Sequence, residues 1–95
     1  MPEMRFRIRW PDGSSESCYS PSLVIKDYFA VGTDYALADF LARSRTALRI
    51  ASERVKAKYG SPCRRALAQL ARIEAAANAF TGVPDARVAV DGFDE

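Results

Sequence analysis

The apolar positions of the chain settle into two helical stripes separated by a glycine. The first runs Leu37, Leu41, Ser44, Leu48, Ala51, Val55 and Tyr59, in steps of three and four residues. At about 100° per residue these positions stay on one face, so the spacing predicts a long amphipathic helix from Leu37 to Tyr59. The second stripe follows Gly60 through Cys63, Ala66, Leu67, Leu70, Ile73, Ala77 and Phe80. Elsewhere the segments are short and extended, and need the helix pair to bury their apolar side.

Met4 to Trp10 is the clearest of those segments, its apolar residues alternating with Arg5, Arg7 and Arg9. Pro11-Asp12-Gly13 has the chemistry of a tight turn, since proline presets φ and glycine accepts a positive one. Ser15 to Ser20 reads as the returning strand of a β-hairpin, with Cys18 facing one way and Ser17 and Tyr19 the other. Pro21 stops that strand because it has no N–H for the ladder. Leu23 to Phe29 is apolar but fits neither period, and reads as a packed connection with one helical turn. Thr33 or Asp34 is the expected N-cap of the long helix. Its C-terminus is expected at Lys56-Ala57-Lys58-Tyr59-Gly60, cations followed by a glycine for the left-handed cap. Ser61 and Pro62 then read as N-cap and first residue of the second helix. So short a joint makes the helices antiparallel or sharply crossed. The second helix is expected to end at Gly82, and Ala86 to Asp91 to form a last strand with Val88 and Val90 inward. Gly92 to Glu95 is left as a tail.

The expected fold class is therefore α+β, in the order β-β-α-α-β: a small three-stranded, mainly antiparallel sheet covered on one face by a helical hairpin. The first strand takes the middle, with Phe6, Ile8 and Trp10 against Leu41, Leu48 and Leu70. The 95 residues make one domain, 1–95. Charged residues at 27% and apolar residues at 48% suit a globular domain and argue against disorder. A net charge of +2 is too small to establish a nucleic-acid partner. No apolar run approaches the ~20 residues of a membrane span, and the N-terminus lacks a signal-type apolar segment. The expectation is a protein of the bacterial cytoplasm, its thiols reduced, with no membrane partner.

Candidate chemistry is sparse. Arg5, Arg7 and Arg9, continued by Arg87 on the last strand, would line the sheet face that the helices leave open. Plainly read, they are charges that keep an exposed face solvated. Read functionally, they form a surface for an anion or an acidic partner, because arginine takes carboxylate and phosphate bidentately. An RNA-binding sheet carries aromatics on that same face. Here Phe6 and Trp10 fall on the other, which weighs against nucleic acid. On the long helix Arg43, Ala47, Ile50 and Arg54 share an off-core stripe mixing apolar and arginine side chains, as interfaces do. It reads as a solvated face, or as an interface for a homodimer or another partner. Cys18 and Cys63 are candidate reactive thiols, Cys63 being expected in the first helical turn where the dipole lowers a thiol pKa. The plainer reading is two small buried hydrophobes. The chain has no histidine to serve as base or ligand, no paired-cysteine motif and no glycine-rich phosphate loop. No catalytic, metal-binding or cofactor-binding residue is expected, and the residues alone assign no reaction.

Several stretches nonetheless carry a resemblance. Met4-Arg5-Phe6-Arg7-Ile8-Arg9-Trp10-Pro11-Asp12-Gly13, Cys18-Tyr19-Ser20-Pro21-Ser22 and Arg43 through Val55 resemble the small nitrogen-starvation-response proteins of bacteria, as do Lys58 through Cys63 and Ala66-Leu67 to Ile73-Glu74. The similarity covers nearly the whole chain. Val31-Gly32-Thr33-Asp34-Tyr35 departs from the family's spacing by about one residue, which bears only on where the long helix starts. The resemblance implies genomic company: a nitrilase, a radical-S-adenosylmethionine protein, an acetyltransferase-like protein and a flavoprotein, in a cluster associated with nitrogen scavenging from nitriles or cyanide. It supplies no catalytic residues. The first expectation is thus a non-enzymatic accessory protein of that pathway, its partner the nitrilase or a neighbouring enzyme. The alternatives are a small basic nucleic-acid-binding regulator and, behind it, an enzyme component using Cys18 or Cys63.

Overall fold

Strict alternation makes Met4–Arg9 a strand, β1, with its apolar residues buried and its arginines exposed. The computed structural model describes residues 3–95, and in it β1 pairs antiparallel with β2 (Ser15–Ser20) in the expected hairpin. The turn is held locally: Gly13 takes φ 87°, and the Asp12 carboxylate accepts from the Ser14 N–H and hydroxyl at 2.9 and 2.6 Å. Phe6 lies opposite Cys18, so Cys18 points into the core and Ser17 and Tyr19 fall on the arginine face.

The connection after β2 contains a single helical turn, α1 (Ile25–Tyr28), with Val24, Ile25 and Phe29 buried. The sheet has four strands where three were expected. The additional one, β3 (Thr33–Ala36), occupies the residues read as the N-cap of the long helix. The last strand, β4, runs Arg87–Asp94 and absorbs most of the expected tail. Strand order is β2-β1-β4-β3, every pairing antiparallel, so β1 is central as expected but shares the middle with β4.

Helix α2 begins at Leu37, directly off β3, and runs to Tyr59. No side chain caps its start. The Leu37 N–H instead donates to the Ala86 carbonyl at 3.0 Å, so the chain entering β4 satisfies one of the first-turn donors. Gly60 closes the helix in the left-handed conformation, φ 89°, its N–H on the Lys56 carbonyl. Helix α3 starts at Arg64, later than Ser61-Pro62 implied, and runs to Ala77 before a 3-10 turn at Asn78–Phe80. The delay has a cause: the Cys63 N–H donates to the hydroxyl of buried Ser52 at 3.2 Å, which ties the joint to α2 before the second helix begins.

The core stripe of α2 is wider and shorter than the spacing implied. Phe40 and Ala47 are fully buried with Ser44, Leu48 and Ala51, whereas Leu41 is half-buried and Tyr59 is 63% exposed. A 23-residue helix spans about 35 Å, longer than a strand of six to eight residues at ~3.3 Å each, so its last turns run past the sheet. Phe6, Ile8 and Trp10 are buried with Leu48 and Leu70. Trp10 meets the edge of Phe40 at 5.8 Å and stacks on Phe80 at the same distance, while Phe29 links Phe6, Tyr35 and Phe40.

Two substitutions on α2 test this core. Phe40→Ala empties a fully buried site and is expected to cost about 3–5 kcal/mol. The Ser44 hydroxyl is buried with no hydrogen-bond partner among the described residues, so Ser44→Ala is expected to leave stability unchanged or raise it. Urea denaturation of both variants reads the two effects; a destabilised Ser44→Ala would mean that the hydroxyl has a partner.

Candidate functional site

Because β4 lies between β1 and β3, it carries carboxylates onto the sheet face where the arginines stand. Arg7 Nε lies 3.1 Å from Asp94, Arg9 Nη2 3.2 Å from Asp91, and Arg87 Nε 3.2 Å from Asp34 on β3. Arg87 Nη2 also donates to the Asp34 carbonyl at 3.2 Å, blunting the outer edge of β3. The Arg7 guanidinium crosses over buried Gly92, where a Cβ would come within 2.7 Å of Arg7 Cζ. These side chains are about half exposed, so each pair contributes no more than about 1 kcal/mol. Their effect is on the field of the face: three of the four arginines singled out as an anion surface already hold carboxylates. Arg5 alone of the four has no ion-pair partner among the described residues.

The stripe Arg43, Ala47, Ile50 and Arg54 is likewise occupied. Ala47 is fully buried and belongs to the core. Arg43 donates to the Tyr28 carbonyl at 2.8 Å and to Asp39 at 3.0 Å, with its guanidinium 4.9 Å above the Tyr35 ring. Arg54 donates to the Ser22 hydroxyl at 3.0 Å. These arginines fasten the 22–28 connection onto α2, leaving Ile50 half-buried beside them. The connection has no periodic pattern, so nothing in the sequence marked this stripe as the place where it docks.

The thiols lie in different settings. Burial, with Glu16 adding to it, pushes the Cys18 thiol up to about 12, so it is protonated and inert at neutral pH. Cys63 is the N-cap of α3 and half-buried. Among the described residues no group of three or more cysteines and carboxylates is placed to hold a metal ion, and no helix is long and apolar enough to cross a membrane.

Two clefts were not singled out from the sequence. One, of about 370 Å3, is apolar, with Leu37 and Leu41 from α2, Phe80 and Val83 from the segment after α3, and Ala86 at the entry to β4. The other, of about 320 Å3, lies where α3 meets β2 and is lined by Arg5, Tyr19, Arg65, Ala68, Gln69 and Arg72. Its signal was present in the sequence: Arg65, Gln69 and Arg72 stand at i, i+4 and i+7, one polar face of α3. Arg65 stacks over the Tyr19 ring at 3.8 Å, and Arg72 holds Glu16 at 3.0 Å. Burial and then Glu3 raise the Tyr19 phenol above its ordinary value, so it keeps its proton at neutral pH.

Residues 5–93 match the model of a family described as nitrogen starvation-induced protein NitG. No curated protein and no solved structure matches the chain.

The thiol geometry gives a test with a defined sign. As pH rises, the unfolded chain loses the Cys18 proton near its ordinary value of 9.0, while the folded chain keeps it to about 12. Stability from this group is therefore complete below pH 9 and is lost between 9 and about 12. Denaturant midpoints measured across that window are expected to fall more steeply for the natural chain than for Cys18→Ala. In the native protein iodoacetamide is expected to alkylate Cys63 and spare Cys18; equal labelling would contradict the burial of Cys18.

Proposed function

The chain belongs to the family of nitrogen starvation-induced protein NitG, and from that premise we propose that it is a non-enzymatic accessory protein that works by docking on another protein of the starvation response. The observation that supports docking is the apolar cleft at the start of α2. Leu37 and Leu41, one turn apart on that helix, face a space shared with Phe80 and Val83, and Val83 stands 45% exposed at its margin. Arg7, Arg9 and Arg87 on the open sheet face, and Arg43 and Arg54 beside the 22–28 connection, are engaged by groups of the same chain. This cleft presents apolar surface that gains free energy when another protein covers it.

The partner proposed is an enzyme encoded in the same gene cluster, the nitrilase first, acting in the bacterial cytoplasm on nitrogen from nitriles or cyanide. That setting follows from the family resemblance in the amino-acid sequence. The reading of a nucleic-acid-binding regulator has less support, because Arg7, Arg9 and Arg87 already hold carboxylates and Phe6 and Trp10 are buried.

Co-expression of the tagged chain with each cluster-encoded enzyme tests the reading. The nitrilase or one neighbouring enzyme is expected to co-purify with the natural chain, and to be lost with Val83→Asp, whose carboxylate would be desolvated in the interface. Val83 is surface-exposed, so circular dichroism is expected to show the variant folded. Failure of every cluster enzyme to co-purify, or full retention by folded Val83→Asp, would contradict the proposal.

A further inference from the structure

The cleft between β2 and α3 differs from the rest of the arginine-bearing surface in one respect: two of its three arginines, Arg5 and Arg65, have no close ion pair among the described residues. Arg5 is the member of the β1 row without an ion-pair partner among the described residues. Arg65, fixed by stacking on Tyr19, has only a long 3.9 Å approach to Glu3. Arg72 is held against Glu16, which orients it at the cleft wall. No carboxylate is among the six residues that line the space, although Glu16 pairs with Arg72 at its margin, and Glu3, Asp94 and Glu95 share an adjoining cleft with Arg5, Tyr19 and Arg65.

The most telling group is Gln69. Its side-chain oxygen accepts the Tyr19 backbone N–H at 2.9 Å, capping the outer edge of β2. That bond fixes which end of the amide is which, since only the oxygen can accept. The Nε2 group is then turned elsewhere. It is buried without an acceptor among the described residues. A buried amide nitrogen left unpaired is costly, and Gln69 lines the same cleft as three guanidinium groups. Between Arg65 and Arg72 on this face of α3 stands Ala68, whose small side chain leaves the space open.

We propose that this cleft is a binding site for a small-molecule oxyanion, a phosphate or carboxylate group whose oxygen accepts from Gln69 Nε2 while Arg5 and Arg65 hold its charge. Arginine forks bind both groups well, and the charged bond is stronger than its neutral counterpart. A volume of about 320 Å3 is at the small end of ligand pockets, which favours a metabolite over a macromolecule. Tyr19 supplies an aromatic wall that keeps Arg65 in place. The inference is independent of the docking role, for it uses other residues on another part of the surface.

Inorganic phosphate and succinate are the probes. Each is titrated into 15N-labelled protein at constant ionic strength while amide resonances are followed. Saturable shifts confined to the Gln69 side-chain amide, the Tyr19 amide and their neighbours are expected. Arg5→Gln is expected to weaken binding about tenfold or more, roughly one charged hydrogen bond. Arg9→Gln, which removes the same charge from the paired row, is expected to leave it unchanged, as is Val83→Asp in the apolar cleft. Tighter phosphate binding assigns a phosphorylated ligand, and tighter succinate binding a carboxylate; either supports the site. Non-saturating shifts for both probes, or equal weakening by Arg5→Gln and Arg9→Gln, would overturn it.

Discussion

The structure depends on the last strand lying inside the sheet. β4 pairs with β1 on one side and β3 on the other, so the two ends of the described chain are joined in the centre of the molecule. This places Val88 and Val90 at the bottom of the core, beneath α2, where both are fully buried. It turns the short Thr33–Ala36 segment into a strand, since β4 offers that segment the ladder it needs. It also lets the Ala86 carbonyl receive the first N–H of α2, which makes a side-chain cap unnecessary.

The same pairing decides what the surface can do. β1 alone would present a row of arginines to solvent. With β4 beside it and β3 beyond, Asp94, Asp91 and Asp34 come within ion-pair distance of Arg7, Arg9 and Arg87, and the open face becomes a lattice of alternating charge. Exposed pairs of this kind add little stability, yet they cancel the field an anionic polymer would follow. Of that arginine row, Arg5 is left without an ion pair among the described residues, beside Arg65 where α3 meets β2. An apolar surface of a different kind lies in the cleft of Leu37, Leu41, Phe80 and Val83.

Much of this was legible in the sequence because period and capping chemistry are local. The alternation of Met4 to Trp10, the core stripe of α2 and the glycine cap at Gly60 each follow from residues close to one another in the sequence. What was hidden depends on distance. β3 is four residues long with Tyr35 as its one buried side chain, too short for alternation to declare itself. Asp91 and Asp94 lie more than eighty positions from the arginines they neutralise, so no local rule connects them. By spacing Ala47 shares a stripe with Arg43 and Arg54, yet it belongs to the core, while those arginines are taken up by a 22–28 connection that has no period. The donor stripe of α3 could have been read from its spacing. Its meaning required Tyr19 and Arg5, which only the sheet brings to it.

Native-state hydrogen exchange tests the central position of β4 most directly. A strand paired on both sides is expected to exchange only through opening of the whole sheet, so amides of β1 and β4 should be the slowest in the chain. Those of β2 and β3 that face outward should exchange faster. Protection of Val88, Val90 and their β4 neighbours equal to that of β1 is the predicted result. If β4 instead exchanged as quickly as the outward-facing amides of the edge strands, it would not lie in the middle, and the charge lattice and the clefts derived from that placement would fail with it.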